Sequence, residues 1–380
     1  VYGSNAMMGV INIITRSGAN EVSMSVGSFN RRKAHLIASQ QAGDVTLELL
    51  ASLDVDDGDE YRVQDSFVDI TGTTKRIDTL DPRKLAHLNL KLNWHNTQLN
   101  LQHNQSREED FYQLSALSNG VNERRLDFTA ISWQQNFSWQ AMDSWLWLSY
   151  TRFQETISTQ VTAPGALAGI SSPDSSDAMF IIAEFDDYSE TRLQWHNDLE
   201  LKAHSSLQFG IEYRYLYAPE AQAKSNFDVG DAVNDIVPIR YYGTSFGATS
   251  VQRASSRDIV GLYGQLQRQL FDNTQLTVGL RHDEFSAIGG HTSPRFALVQ
   301  SLNDHHSLKL LYGEAFRAPT EAELKLVANR VTLGNPALDP ETVQTSELIW
   351  LGQWSHTGVS VGYFESRFKD AIVRVLSGAT

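Results

Sequence analysis

The residues with the most chemistry to offer lie in polar stretches between apolar ones. The segment DIVPIRYYGTSFGATSVQR places Arg240, Tyr241, Tyr242, Phe246 and Arg253 together. Guanidinium groups set among aromatic faces suit an anionic aryl chelate, held by charge pairing and stacking. Phe111 and Tyr112, in an earlier polar stretch, would add two rings to the same mouth. A long loop that packs on itself needs the same residue types, so composition supports both readings about equally. The segment DVDDGDEYRVQD gathers Asp54, Asp56, Asp57, Asp59, Glu60 and Asp65. A hard cation such as Ca2+ takes roughly six to eight oxygen ligands, and Asp54, Asp56, Asp57 and Asp59 are the candidates to supply them. Gly58 is out of place for an EF-hand, and a solvated acidic loop tip accounts for the run more simply.

Other chemistries find no foothold. The chain has no Cys, which removes thiolate catalysis and any disulfide framework. No Ser stands in a G-x-S-x-G elbow. Gly3 and Gly9 have the wrong spacing for a phosphate-cradling loop. No catalytic residue and no resident cofactor beyond that possible Ca2+ are expected, and the chain reads as a non-enzyme. A formal net charge of −14 argues against nucleic acid, which is bound through Lys and Arg.

Something must position these residues, and from Asn20 onward the dominant signal has a period of two. In LAHLNLKLNW, Ala86, Leu88, Leu90, Leu92 and Trp94 alternate with His87, Asn89, Lys91 and Asn93. In SLQFGIEYRYLY, Leu207, Phe209, Ile211, Tyr213, Tyr215 and Tyr217 alternate with Gln208, Gly210, Glu212 and Arg214. A helix would scatter Leu88, Leu90 and Leu92 around its circumference; a strand puts them on one face. Several of these strands reach about ten residues, near the roughly 9–11 that a tilted strand needs to cross a bilayer. No apolar run approaches the roughly 18 residues of a membrane helix.

The connections alternate in length. Short turns fall at 42–44, 95–97, 140–143, 203–205, 271–273, 303–305 and 355–356. Long polar loops fall between them at 54–82, 105–122, 158–187, 219–253 and 317–340. Antiparallel strands put alternate connections on opposite sides, so this segregation is the pattern of an outer-membrane barrel with periplasmic turns and extracellular loops. The expected fold is all-β: a transmembrane antiparallel β-barrel of about fifteen strands. Bacterial barrels close with an even number, and open edges facing lipid are costly. The chain therefore reads as an internal portion of a longer protein. Trp94, Trp133, Trp139, Trp145, Trp147 and Trp195 lie near strand ends and would form an interfacial girdle. His305 and His306 fall in a short turn and should be solvated.

Three segments resemble a known family. YGSNAMMGVINIITR resembles the end of the plug domain in TonB-dependent outer-membrane receptors, with Gly3, Asn5, Gly9, Asn12 and Ile14 at motif positions. YGEAFRAPTEAEL resembles the family's barrel segment, with Phe316, Arg317, Ala318, Pro319, Glu323 and Leu324. GNPALDPETVQTSEL follows with Asn335, Pro336, Leu338, Pro340, Glu341 and Glu347. The resemblance implies that residues 1–19 end a plug and residues 20–380 form a partial barrel, about 15 of about 22 strands. Most of the plug, the TonB box and the C-terminal strands would lie outside the chain.

The resemblance further implies a place in the bacterial outer membrane, in contact with its lipid, and TonB as a partner acting through an upstream segment. The implied activity is active import of a scarce metal chelate: a ferric siderophore first, with cobalamin or haem as alternatives. Haem fits less well, because TEAELKLVANRVTLG lacks the His that similar haem receptors carry as an iron ligand. Outside the family, a passive porin or a secreted soluble β-sheet binding protein would share the alternation. The porin would lack the plug-like start, and the soluble protein would bury its apolar strand faces against each other. Arg317, opposite in phase to Leu308, Leu310 and Tyr312, should point inward to carboxylates, with ligand contact as the second reading. Pro319 ends the strand because it has no N–H to donate.

Overall fold

The computed structural model describes residues 18–59, 62–68, 74–78, 80–110, 121–162, 164–202, 204–286, 288–327, 333–373 and 375, with 62–68 and 74–78 as backbone. Gly3, Asn5, Gly9 and Asn12 of the plug-like motif lie outside the described residues, as do Phe111 and Tyr112. The strands are β1 (Glu21–Val26), β2 (Arg32–Ala42), β3 (Val45–Asp56), β4 (Arg62–Val68), β5 (Thr74–Asp78), β6 (Arg83–Trp94), β7 (Thr97–Glu109), β8 (Glu123–Trp139) and β9 (Met142–Gln160). There follow β10 (Ser171–Ser172), β11 (Phe180–Leu201), β12 (Ser205–Ala218), β13 (Ala221–Ser225), α1 (Val229–Val233), β14 (Ile239–Arg240), β15 (Gly247–Gln252) and β16 (Ser255–Phe271). The last are β17 (Thr274–Phe285), β18 (Gly289–Ser301), β19 (His306–Arg317), α2 (Glu321–Lys325), β20 (Glu341–Gln353) and β21 (Gly358–Lys369).

Seventeen strands join in one sheet. Two of them, β13 and β15, branch from the loop end of β11. The other fifteen follow one another as an antiparallel meander, in the number and order that the alternation predicts. Among the described residues β1 and β21 each pair on one side only, so the sheet stays open between them. The short connections close tightly. Gly43, His95, Gln140 and His204 take left-handed φ values of 50–60° there, which lets a strand reverse within a few residues.

The two faces of the sheet are inverted relative to a water-soluble fold. On one face Leu148, Leu193, Ile211, Leu262, Leu280, Leu310 and Leu348 are 41–52% exposed. On the other, Glu212, Arg281 and Asp283 are only 1–4% exposed. A flat single layer would expose both faces alike, so the charged face is the concave one. Water would reward the opposite arrangement, since apolar surface gains by leaving it and buried charge must be paired. Hydrocarbon outside and a filled lumen inside reward this one.

Two expectations need correction. Trp94, Trp139 and Trp195 are exposed on the apolar side, and Trp133 pairs with Leu99 and Leu148 there. Trp145 and Trp147 point to the charged side instead, where Trp145 stacks on His196 and Arg192 lies over Trp147. They stand one residue out of phase with Leu146 and Leu148, and position near a strand end does not reveal phase. The stretches 158–187 and 219–253 are also more ordered than polar loops. They contain the first part of β11, together with β13, α1 and β15. The register of β11 against β9 shifts between Phe185 and Tyr188, which interrupts the period of two. Before that bulge, Phe180, Ile181, Ile182 and Ala183 form an apolar run with no alternation, flanked by β9 and β13.

Candidate ligand-binding site

The concave wall carries a continuous network across β9, β11, β12, β16 and β17. Arg281 Nη2 donates to Asp283 Oδ1 at 2.6 Å and reaches Glu212 Oε1 at 3.4 Å. Arg192 Nη2 donates to the other oxygen of Glu212. Arg281 also lies 5.5 Å from the Tyr263 ring centroid. The hydroxyl of Tyr263 is 2.6 Å from His196 Nδ1, and His196 stacks on Trp145. Each cation is thus matched by a carboxylate or a ring, as burial of charge demands. Two glycines make room for it. A Cβ on Gly210 would lie 2.4 Å from the Trp195 carbonyl oxygen, and one on Gly261 would lie 2.4 Å from Arg281 Nη2. At the start of the described chain, Gly18 N donates to Glu48 on this same face.

At the loop end, two connections fold into one body. Leu167 and Met179 from the β9–β11 connection meet Phe227, Val229 and Ile239 from the β12–β16 connection. The short parallel pair β10–β14 joins them, and Asn226 Nδ2 donates to the Ala178 carbonyl at 2.8 Å. The Arg–Tyr cluster stands in this body. Arg240 Nε donates to Asp231 Oδ2 at 3.0 Å and pairs with Asp228 at 2.6 Å. Tyr242 Oη donates to Asp228 at 2.7 Å, and Tyr241 Oη donates to Asp177. Hydrogen bonds from Arg240 hold the Asp231 carboxyl below its usual pKa. Of the two readings weighed for this loop, self-packing describes Arg240, Tyr241 and Tyr242. Phe246 remains 43% exposed. Arg253 is exposed and has no hydrogen bond or ion pair among the described residues.

A second feature straps the loop end. The connection after β19 reaches across to β15 and β16. Its backbone bonds to β15 through Val327 N and the Val251 carbonyl, at 2.8 Å. Arg317 Nε donates to Glu341 at 2.6 Å and Nη1 to Glu323 at 2.9 Å. Arg257 Nη2 pairs with Glu321 at 2.7 Å, and Nη1 donates to the Pro319 carbonyl. Thr320 and Glu323 form a capping box at the N-terminus of α2, and the Arg317 hydrogen bond keeps the Glu323 carboxyl below its usual pKa. Beneath the strap, Phe316 and Ala318 pack with Ile259 and Phe285. Asn335 N donates to the Glu323 carbonyl at 2.7 Å and turns the chain back. Pro336 lies exposed, Leu338 and Pro340 half-buried, on the way to Glu341. The family-like residues Phe316, Arg317, Ala318, Pro319, Asn335 and Glu341 therefore close this strap. Arg317 binds the carboxylates of Glu323 and Glu341.

Among its described residues the acidic segment does not assemble a cation site. Arg31 binds Asp54 through two hydrogen bonds of 2.7 and 2.9 Å. Asn30 binds Asp57, and Asp56 accepts from Gly58 N. Among the described residues, Asp59 included, no three carboxylates or imidazoles converge. Charge count alone proposed Ca2+ at Asp54, Asp56, Asp57 and Asp59; the Arg31–Asp54 fork directs the first of these elsewhere. Sequence reasoning also missed Arg281, Asp283, Glu212 and the capping box. The last was legible as T-x-x-E at Thr320–Glu323. The others were visible only as charges on the polar phase of their strands.

A single curved antiparallel sheet, apolar outside and charged inside, with tight turns at one end and built-up loops at the other, defines the wall of an outer-membrane-type β-barrel. A family model for the β-barrel of TonB dependent receptor-like proteins matches residues 46–380, and the chain belongs to that family. It is 25% identical to the ferric enterobactin receptor of Pseudomonas aeruginosa, over 99% of this chain and 54% of that one. It is 29% identical to the probable TonB-dependent siderophore receptor PirA of Acinetobacter baumannii, over 35% of this chain and 19% of that one. Among solved structures, the P. aeruginosa ferric enterobactin receptor PfeA in complex with BCV-L6 superposes with a TM-score of 0.65 at 17% identity, covering 97% of this chain and 57% of that one. The A. baumannii PirA structure gives 0.63 at 19% identity, with 97% and 56% covered. The chain thus spans about half the length of the full-length receptors it matches.

Proposed function

We propose that the chain is the barrel part of a receptor that actively imports a ferric siderophore across the bacterial outer membrane, driven by TonB. On this reading residues 1–19 end the plug and residues 20–380 build the barrel. Phe246 and Arg253 offer an exposed ring and a free cation to an anionic aryl chelate, with Phe111 and Tyr112 as further contacts. The receptor binds and moves its cargo without converting it.

The observation that carries the reading is the concave wall. Its charges are paired along the sheet. Yet Arg192 Nε, Arg257 Nε, Gln265 Oε1 and Ser293 Oγ are buried on it with no partner among the described residues. Buried polar atoms call for a partner, and a plug in the lumen would supply one. The bond from Gly18 to Glu48 on this face supports a leading segment that enters the lumen. The relatives named for enterobactin and siderophores favour an iron chelate over cobalamin or haem.

The test is uptake of radiolabelled ferric catecholate by cells whose only such receptor is this one. Uptake should vanish on deletion of TonB or collapse of the proton-motive force. Uptake indifferent to both would make the protein a passive porin. TonB-dependent uptake of cobalamin, with no iron chelate accepted, would replace the cargo and leave the mechanism standing.

A further inference from the structure

We propose that the cargo crosses the barrel between the plug and the inner face of β7–β9, while the plug stays seated on β11–β18. The pairing register sorts the inward side chains. On β7 they are Gln98, Asn100, Gln102, Asn104 and Ser106. On β8 and β9 the same face carries Ser132, Ala130 and Phe128, then Ser149, Thr151 and Phe153. From Gln98 to Ser106 on β7, and from Trp145 to Phe153 on β9, no inward side chain of this sector is charged. Eight steps of about 3.4 Å, tilted by about 40°, rise about 21 Å, most of an apolar band of about 25 Å. Charge returns at the two ends, with Asp143 beside the turn and the Arg124–Glu155 pair towards the loops.

The opposite wall is built differently. At the same height β11, β12 and β17 set Arg192, Asp198, Glu212, Arg214, Arg281 and Asp283 on the inner face. Glu212, Arg281 and Asp283 are buried, whereas the inward residues of β7 are all half-buried. The inward atoms Arg192 Nε, Arg257 Nε, Gln265 Oε1 and Ser293 Oγ, buried without a partner, all stand on β11–β18. No inward atom of β7–β9 joins them among the described residues. On β7 the amides find partners along the wall. Asn89 Nδ2 donates to Asn100 Oδ1 at 3.1 Å, and His87 Nδ1 shares a hydrogen bond with Asn104 Oδ1.

The two walls therefore differ in what it costs to part from the plug. On β11–β18 a retreating plug would strand buried polar groups, which is expensive. On β7–β9 water can replace the plug at neutral amides and hydroxyls with little loss. Passage also needs a wall that binds weakly and at many points, so that the cargo can leave each one. Fixed charges would hold an anionic chelate or repel it; amides do neither. Phe128 and Phe153, paired across β8 and β9 near the loop end, offer faces on which aryl rings can rest as the chelate enters.

This path rests on the import reading, and its test separates the two. Asn100 on β7 and Thr277 on β17 both point inward, stand three residues from the turn end of their strands and are half-buried. Only their wall differs. The chain has no Cys, so Asn100→Cys and Thr277→Cys each add a single thiol to the barrel of the full-length receptor. Cells are given ferric catecholate, and labelling by a membrane-impermeant maleimide is timed with and without TonB. The thiol at position 100 should label about ten-fold faster during TonB-driven uptake, and the thiol at 277 at an unchanged rate. Asn100→Glu should slow uptake of the anionic chelate about ten-fold by repulsion and leave binding at the cell surface unchanged, which also shows that the variant assembles. Thr277→Glu should change neither. Faster labelling at 277, equal acceleration at both positions, or uptake insensitive to Asn100→Glu would overturn the path. Wild-type uptake that ignores TonB would refute the import reading, and the path with it.

Discussion

Leu148→Arg separates a lipid-facing wall from a water-facing one. Leu148 lies on β9 between Trp133 and Leu193, on the apolar face, and is 43% exposed. It is six residues from the short-turn end of its strand, which places it about 16 Å up a band of about 25 Å, close to the midplane. An Arg on the lipid face at that depth costs about 2–4 kcal/mol. At the middle of that range the folding equilibrium constant falls by about two orders of magnitude. In a soluble protein the same half-exposed site would tolerate Arg within about 0.5 kcal/mol. The assay is reversible urea unfolding of the full-length receptor in lipid vesicles, with Gln102→Arg on the polar phase of β7 as the comparison. The reasoning is refuted if both substitutions cost the same and less than about 0.5 kcal/mol.

Further predictions concern the lumen, the strap and the loop body. Gly210→Val should lower stability by about 1–3 kcal/mol through overpacking, because its Cβ would press on the Trp195 carbonyl and the Tyr263 hydroxyl; urea midpoints measure it. Arg281→Met should cost more, about 3–5 kcal/mol, because it strands Asp283 without its cation and leaves Glu212 with Arg192 alone; a double variant with Asp283→Asn should recover part of the loss. Arg317→Ala should speed hydrogen exchange in α2 about ten-fold and leave β6 and β7 unchanged. The Asp231 carboxyl has a depressed folded pKa, with Arg240 as the cause. Its contribution is therefore present above the unfolded value near ~4 and lost as pH falls through the lower folded value. Protease nicking within 219–253 should rise from pH 5 to pH 3, and Asp231→Asn should show high nicking at both.

The meander was legible because one rule, apolar on one face and polar on the other, holds along nearly every strand. The tight turns and the open-ended strand number followed from the same rule. It failed where the rule itself fails. The bulge between Phe185 and Tyr188 hid the start of β11. The one-residue phase difference between Trp147 and Leu148 sent two tryptophans inward. The loop body was not legible because its core, Leu167, Met179, Phe227, Val229 and Ile239, is assembled from two connections about sixty residues apart in the chain. In the acidic segment, charge was readable but direction was not, and Arg31 and Asn30 decide where Asp54 and Asp57 turn.

The account depends on which side of the sheet touches hydrocarbon. The most direct measurement is a spin-label scan of residues 145–150 on β9 in lipid bilayers, with oxygen as the apolar quencher and a nickel chelate as the polar one. Labels at 146, 148 and 150 should be quenched by oxygen and protected from nickel, and labels at 145, 147 and 149 should show no such preference for oxygen. Uniform nickel access at all six positions, with no period of two, would contradict it.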